Sequence, residues 1–156
     1  MAERGEWPAA ETAGIAGRVE NGVHVLAVRV YYADTDFSGA VYHARYLEFF
    51  ERGRSDFLRL AGVHHTELAD GAHGEQLVWV VRRMEIDFRA QARLDDLLTV
   101  ITRVAGISGA RIEMDQQIRR GETLIAAAHV QAAVVTPQSK PRRFPAAWKT
   151  LFQPQG

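Results

Sequence analysis

The 156-residue sequence has no cysteine. This excludes disulfides, thiolate metal ligands and a thiol nucleophile, leaving covalent chemistry to oxygen or nitrogen. Net charge is missing as well, because nineteen basic residues balance nineteen acidic ones. No overall positive field gathers nucleic acid, and nucleic acid is not expected as a partner. No run of about 18 apolar residues occurs, and the opening MAERGEWPAAETAGIAGRVENG lacks the continuous apolar segment of a secretory signal. The expectation is a cytoplasmic protein without a membrane span. Neither a GxGxxG nor a Walker pattern is present.

What is there has a globular balance, 47% hydrophobic and 24% charged, at a length that suits one domain. Residues 1–20, rich in Ala, Gly and Glu, read as a weakly ordered leader, residues 21–150 as one domain, and 151–156 as a tail. His24 to Tyr32 alternates as a strand does, with His24, Leu26, Val28, Val30 and Tyr32 on one parity. Ala33 to Gly39 then gathers residues that favour turns and helix entry. From His43 to about Leu60, Tyr46, Phe49, Phe50, Gly53, Phe57 and Leu60 recur at helical spacing, with Leu47 and Leu58 widening the stripe. So broad an apolar face predicts a helix wrapped by other structure.

Gly62 is a plausible helix stop, and Thr66 to Asp70 predict a short turn within an otherwise looped 62–75. Strands follow at about 76–88, 97–104, 110–119 and 123–135, with hairpin turns at Ser108-Gly109 and Gly121-Glu122. After Pro137 no periodicity is clear. One strand, one long helix and four more strands predict an α+β domain, an antiparallel sheet of about five strands against a single helix. Such a sheet has unpaired edges, which a second copy would cover, so a homodimer is expected.

The densest polar cluster runs from Tyr31 to Tyr46. A carboxylate in a loop leading into a helix N-terminus is biased toward its ionised form, which makes Asp36 a candidate base or nucleophile. From spacing alone the simpler reading is that Asp34 and Asp36 satisfy loop or helix-start N–H groups. The string Tyr-x-Asp-Thr-Asp-x-x-Gly-x-Val-Tyr-His-x-x-Tyr, from Tyr32 to Tyr46, resembles the signature of the Tol-Pal-associated acyl-CoA thioesterases. These are relatives of 4-hydroxybenzoyl-CoA thioesterase. The likeness continues through Arg83 to Asp96 and covers about residues 22–150.

That resemblance implies a hotdog fold, with the sheet wrapped around the long helix, and a homodimer that commonly assembles into a dimer of dimers. It implies hydrolysis of acyl-CoA at sites on the dimer interface, with coenzyme A as part of the substrate and no cofactor. The essential aspartate falls on Asp36, the tyrosine four residues before it on Tyr32, and the histidine seven residues after it on His43. A backbone N–H at the position of His43 would polarise the thioester carbonyl, and Tyr32 would hold the carboxylate by a hydrogen bond. Asp36 either attacks the carbonyl or activates water.

Candidate cations for the coenzyme A phosphates are Arg103, Arg111, Lys140, Arg142 and Arg143, each equally explained as surface charge. Ser108-Gly109-Ala110 stands where hydroxybenzoyl-type enzymes carry basic residues, so their contacts do not transfer. Glu48 and Glu51 lie where other hotdog groups place a catalytic acid, but i,i+4 spacing to Arg52 and Ser55 makes a solvated helix face the simpler reading. His64, His65 and His73 lack a compact ligand spacing, and no metal is expected. Gly106-Ile107-Ser108-Gly109-Ala110 lacks the final glycine of a serine-hydrolase elbow and sits in a hairpin. The rival readings are a hotdog dehydratase acting on carrier-bound hydroxyacyl chains and a non-catalytic acyl-carrier or scaffold-binding protein. Both bring an acyl carrier protein into consideration as a partner.

Overall fold

A computed structural model describes residues 6–72 and 74–152. The elements are β1 (Arg18–Glu20), β2 (Val23–Arg29), α1 (His43–Leu60), α2 (His65–Ala69), β3 (Val78–Phe88), β4 (Leu97–Ser108), β5 (Arg111–Arg120), β6 (Thr123–Val135), β7 (Pro141–Arg142) and α3 (Ala146–Leu151). A single 3-10 turn, Tyr32–Asp34, precedes α1. All strand pairings are antiparallel, in the order β1-β2-β4-β5-β6-β3, with β7 added beside the end of β6. The sheet curls around α1, which packs on β2, β4 and β5. This is the expected α+β hotdog arrangement.

The apolar stripe of α1 explains its position. Tyr46, Phe49, Phe50, Gly53, Phe57 and Leu58 are buried, whereas Leu47 and Leu60 face outward. On β5, Ile112, Met114 and Ile118 meet the helix while Glu113, Asp115 and Gln117 turn to the outer face. Gln116 falls on the buried parity and is satisfied there. Its Nε2 donates to Phe50 O at 2.9 Å and Thr102 Oγ1 at 2.8 Å, and its Oε1 accepts from Arg54 at 3.0 Å. Helix and sheet approach most closely beside it. A Cβ on Gly53 would lie 2.8 Å from Val100 and 2.9 Å from Thr102, so the mid-helix glycine is required by packing.

Two stretches are more structured than the sequence suggests. Residues 18–20 lie within the expected leader, yet they form β1 through the turn at Asn21-Gly22, both residues having positive φ. The His24 ring, stacked on Phe57, holds the preceding chain by a 2.7 Å bond to Ala16 O. In the C-terminal stretch without periodicity, β7 and α3 pack back on the domain. Trp148 stacks on Trp79, and Phe152, placed in the expected tail, is buried against Phe57. The first predicted strand is shorter than expected, because the chain turns at Tyr32. β4 runs on to Ser108, past the expected end at 104.

β3 closes one side of the sheet. It pairs with β6 alone, with a bulge at Arg82, and Val78, Val81 and Phe88 are exposed along it. An eleven-residue edge strand with three exposed large apolar side chains is a surface that proteins ordinarily cover. Among the described residues, no helix is long and apolar enough to cross a membrane.

Candidate active site

The loop between β2 and α1 is closed by its own backbone. Thr35 bridges Val41, Asp36 N donates to Ala40 O at 2.9 Å, and Gly39 N donates to Asp36 O at 3.1 Å. The segment after β3 pins it from the side. Val41 N donates to Ala92 O at 2.9 Å, Leu94 N to Gly39 O at 3.0 Å, and Ala40 bridges Arg93. Tyr46 reaches across from α1, its hydroxyl accepting Ala92 N at 3.0 Å in a buried position. Asp96 secures that segment by accepting Arg93 N and Arg120 Nη1, each at 2.8 Å.

Within this frame the two aspartates diverge. Asp34 is buried and accepts Tyr31 N at 2.9 Å, while its backbone oxygen accepts Tyr42 N. It holds the loop together. Asp36 is exposed, and one carboxylate oxygen accepts both the Ser38 hydroxyl at 2.5 Å and Ser38 N at 2.8 Å. The Ser38 hydroxyl, its backbone N–H and the charge of Arg93 hold the Asp36 carboxyl below the usual carboxylate range. The backbone of Ala40 also favours the ionised carboxylate. Asp36 is therefore an ionised, exposed group in a fixed loop.

Tyr32 is arranged differently from the expectation, whereas His43 stands at the helix start. The Tyr32 ring is exposed, and the partner of Asp36 is Ser38. Tyr32 contributes its backbone oxygen, which accepts Thr35 N and the Thr35 hydroxyl. His43 is the first residue of α1 and exposed, its ring tilted against Tyr42 with centroids 4.5 Å apart. No side chain caps this helix and no acid occupies its first turn, so its N-terminal dipole faces the loop unneutralised. The loop thus places a carboxylate and a helix N-terminus a few residues apart. Ser38 and Asp96 are neighbours of the loop to which sequence reasoning gave no part, and Tyr46, expected only in the helix stripe and the signature, also ties α1 to Ala92. Asp-x-Ser in a turn was the available signal for Ser38.

The five candidate cations do not converge. Arg103 pairs with Asp115 at 3.2 Å on the outer face, and Arg142 with Glu75 at 2.6 Å. Arg111 lines a cavity of about 460 Å³ with Arg82, Gly106 and Ser108 at the β4–β5 end of the sheet. Lys140 lies in the turn before β7, and Arg143 is exposed after it. Glu48 pairs with Arg45 at 2.7 Å instead of Arg52. Ser55 bonds His65 Nε2 at 3.1 Å instead of Glu51, and His64 bonds Arg59 at 3.1 Å. His73 lies outside the described residues. Ser108 stands at a hairpin with Gly109 in the left-handed region, so it is not the elbow of a serine hydrolase.

Comparison with known proteins agrees with this architecture. The model of the thioesterase-like superfamily matches residues 30–151. The acyl-CoA thioesterase YbgC of Haemophilus influenzae is 43% identical over 126 residues, covering 80% of this chain and 90% of that protein. The acyl-CoA thioester hydrolase YbgC of Escherichia coli is 41% identical over 120 residues, covering 76% and 87%. A probable thioesterase from Bartonella henselae superposes with a TM-score of 0.77 at 54% identity, covering 79% of this chain and 99% of that one. A 1,4-dihydroxy-2-naphthoyl-CoA thioesterase from Synechocystis gives 0.75 at 25% identity, covering 84% and 96%. The chain is a hotdog-fold enzyme and belongs to the thioesterase-like superfamily.

Proposed function

We propose that the protein hydrolyses acyl-CoA thioesters to the free acid and coenzyme A, with Asp36 as the reacting carboxylate. The observation that carries this reading is the exposed, ionised Asp36 in a loop that leads directly into the uncapped N-terminus of α1. Thioester hydrolysis needs attack on the carbonyl carbon and stabilisation of the charge that develops on its oxygen. Backbone N–H groups at a helix N-terminus present fixed dipoles to such an oxyanion, without reorganisation during the reaction. A carboxylate oxygen of Asp36 either attacks the carbon, giving a mixed anhydride and the coenzyme A thiolate, or takes a proton from attacking water. His43 at the same helix end orients the water or the thioester, and Tyr32 shields the entrance. No cofactor enters either route.

The site works in a dimer joined through β3. An isologous contact along an antiparallel edge brings the N-terminal half of β3 in one copy beside the C-terminal half in the other. The C-terminal end of β3 adjoins the catalytic loop, since Phe88 packs against Tyr46 at 5.8 Å. Two dimers then associate into a tetramer. Arg111, with Arg82 and Ser108 around their cavity, is the favoured contact for a coenzyme A phosphate, because neither guanidinium has an ion-pair partner among the described residues. Arg103 and Arg142 are already paired. A cytoplasmic location, an association with the Tol-Pal system and an acyl carrier protein as alternative donor belong to the same reading.

The test is release of coenzyme A from short, long and aromatic acyl-CoA thioesters, measured with and without EDTA. Turnover that chelation leaves unchanged is expected. Loss of turnover with EDTA and its recovery with zinc would replace the carboxylate mechanism, and no release from any thioester would refute the activity.

A further inference from the structure

Between α1, α2 and β3 lies a cavity of about 250 Å³, lined by Arg54, Ser55, Leu58, His65, Trp79 and Met114 among others. Its walls are largely apolar, yet a guanidinium sits in one of them. Arg54 makes a single hydrogen bond, to the neutral amide oxygen of Gln116, and no ion pair among the described residues. A guanidinium carries five N–H donors, so most of those on Arg54 have no protein acceptor. Burial lowers its pKa, and the charge of Glu51 in the same lining offsets part of that lowering without a hydrogen bond or ion pair to it. Glu51 is exposed, so solvent screens its charge. A second donor is also unmatched: the indole N–H of Trp79, in the same lining, is buried with no partner among the described residues.

The position of the cavity decides what reaches it. Arg54 is eleven residues beyond His43 on α1, about 16 Å at helix rise, and Val80 is about 26 Å from Phe88 along β3 at strand rise, so within one chain the cavity lies beyond the end of a six-carbon acyl group held at the loop. Antiparallel pairing of β3 with a second copy would bring the cavity of one subunit toward the loop of the other. We propose that this cavity receives the far end of the acyl group across the interface, and that Arg54 selects acyl groups ending in a carboxylate. The apolar lining takes the methylene chain, and the unpaired guanidinium binds the terminal anion. This rests on the thioesterase reading of Asp36 and on edge pairing of β3.

The experiment compares kcat/KM for adipoyl-CoA and suberoyl-CoA with hexanoyl-CoA and octanoyl-CoA, matched in carbon number, in the wild type, Arg54→Gln and Arg54→Lys. A parallel titration with free adipate follows tryptophan fluorescence, since Trp79 lines the cavity. Circular dichroism confirms that each variant is folded. The wild type should prefer the carboxylated partner of at least one pair by about tenfold, the scale of a hydrogen bond to a charged group. Arg54→Gln should bring that ratio near one, and Arg54→Lys should retain part of it. Equal or better use of the plain chains by the wild type, or a ratio unmoved by Arg54→Gln, would overturn the proposal. If no thioester is cleaved while adipate binds in an Arg54-dependent way, the cavity stands as a carboxylate site and the thioesterase reading falls. If adipate also fails to bind, both fall.

Discussion

The loop around Asp36 and the edge strand β3 differ in how much of their chemistry one chain completes. The loop is closed by backbone bonds to itself and to residues 92–96, so its carboxylate is held without outside help. β3 has an unpaired edge, exposed Val78, Val81 and Phe88, and a neighbouring cavity whose cation has no counterion in contact. On the proposed reading, the contrast is between a carboxylate prepared within one subunit and a binding surface that a second subunit would finish. Each prediction below breaks one side of that contrast.

The largest effect belongs to the loop. Asp36→Asn is nearly isosteric but neither basic nor nucleophilic, and should lower kcat about 10³–10⁴-fold with the oligomer intact. Activity within about threefold of wild type, under roughly 0.7 kcal/mol of barrier, would remove Asp36 from the mechanism. Breaking the edge comes next. Val81→Lys puts a charge on the exposed rim of β3 and should yield a folded monomer by light scattering, with kcat/KM down about 10²-fold through lost positioning. A fully active monomer would contradict the two-chain site.

Tyr46→Phe sharpens the comparison from the frame of the loop. It leaves the buried Ala92 N–H without its acceptor, at a cost of about 1–3 kcal/mol, read as a lower urea midpoint with m unchanged. The smallest effect is at Ser38. Its hydroxyl is the main cause of the lowered Asp36 pKa, so Ser38→Ala should raise that pKa toward the ordinary carboxylate value. On the proposed mechanism, which uses the ionised carboxylate, the acid limb of the kcat/KM profile should move to higher pH, leaving the rate at neutral pH nearly unchanged. An acid limb that stays in place would mean that another group sets it.

The fold was legible where periodicity is dense. The stripe Tyr46, Phe49, Phe50, Phe57 and Leu58 marks α1 at both ends, and β5 reads directly from its alternation. β1 was not legible because only Val19 is apolar within it, although Asn21-Gly22 is a strong hairpin signal. α3 depends on Trp148 and Phe152 finding Trp79 and Phe57, contacts that no local pattern announces. At the site, spacing could not separate Asp34 from Asp36. Burial does, since Asp34 turns inward to Tyr31 N while Asp36 stays exposed on Ser38. The stabilising partner is also not the one expected, because a two-residue turn satisfies the carboxylate sooner than a tyrosine at the far side of the loop.

Shared construction of the site by two chains is tested most directly by mixing two crippled subunits. Asp36→Asn removes the carboxylate, and Ser55→Trp fills the cavity beside β3. Each homodimer should be poor at releasing coenzyme A from a cavity-filling acyl-CoA. Coexpressed with different tags and purified through both, the mixed dimer should regain about half of wild-type activity, because one of its two sites then combines an intact loop with an intact cavity. Recovery no greater than the average of the two parents would mean that loop and cavity do not meet across the interface.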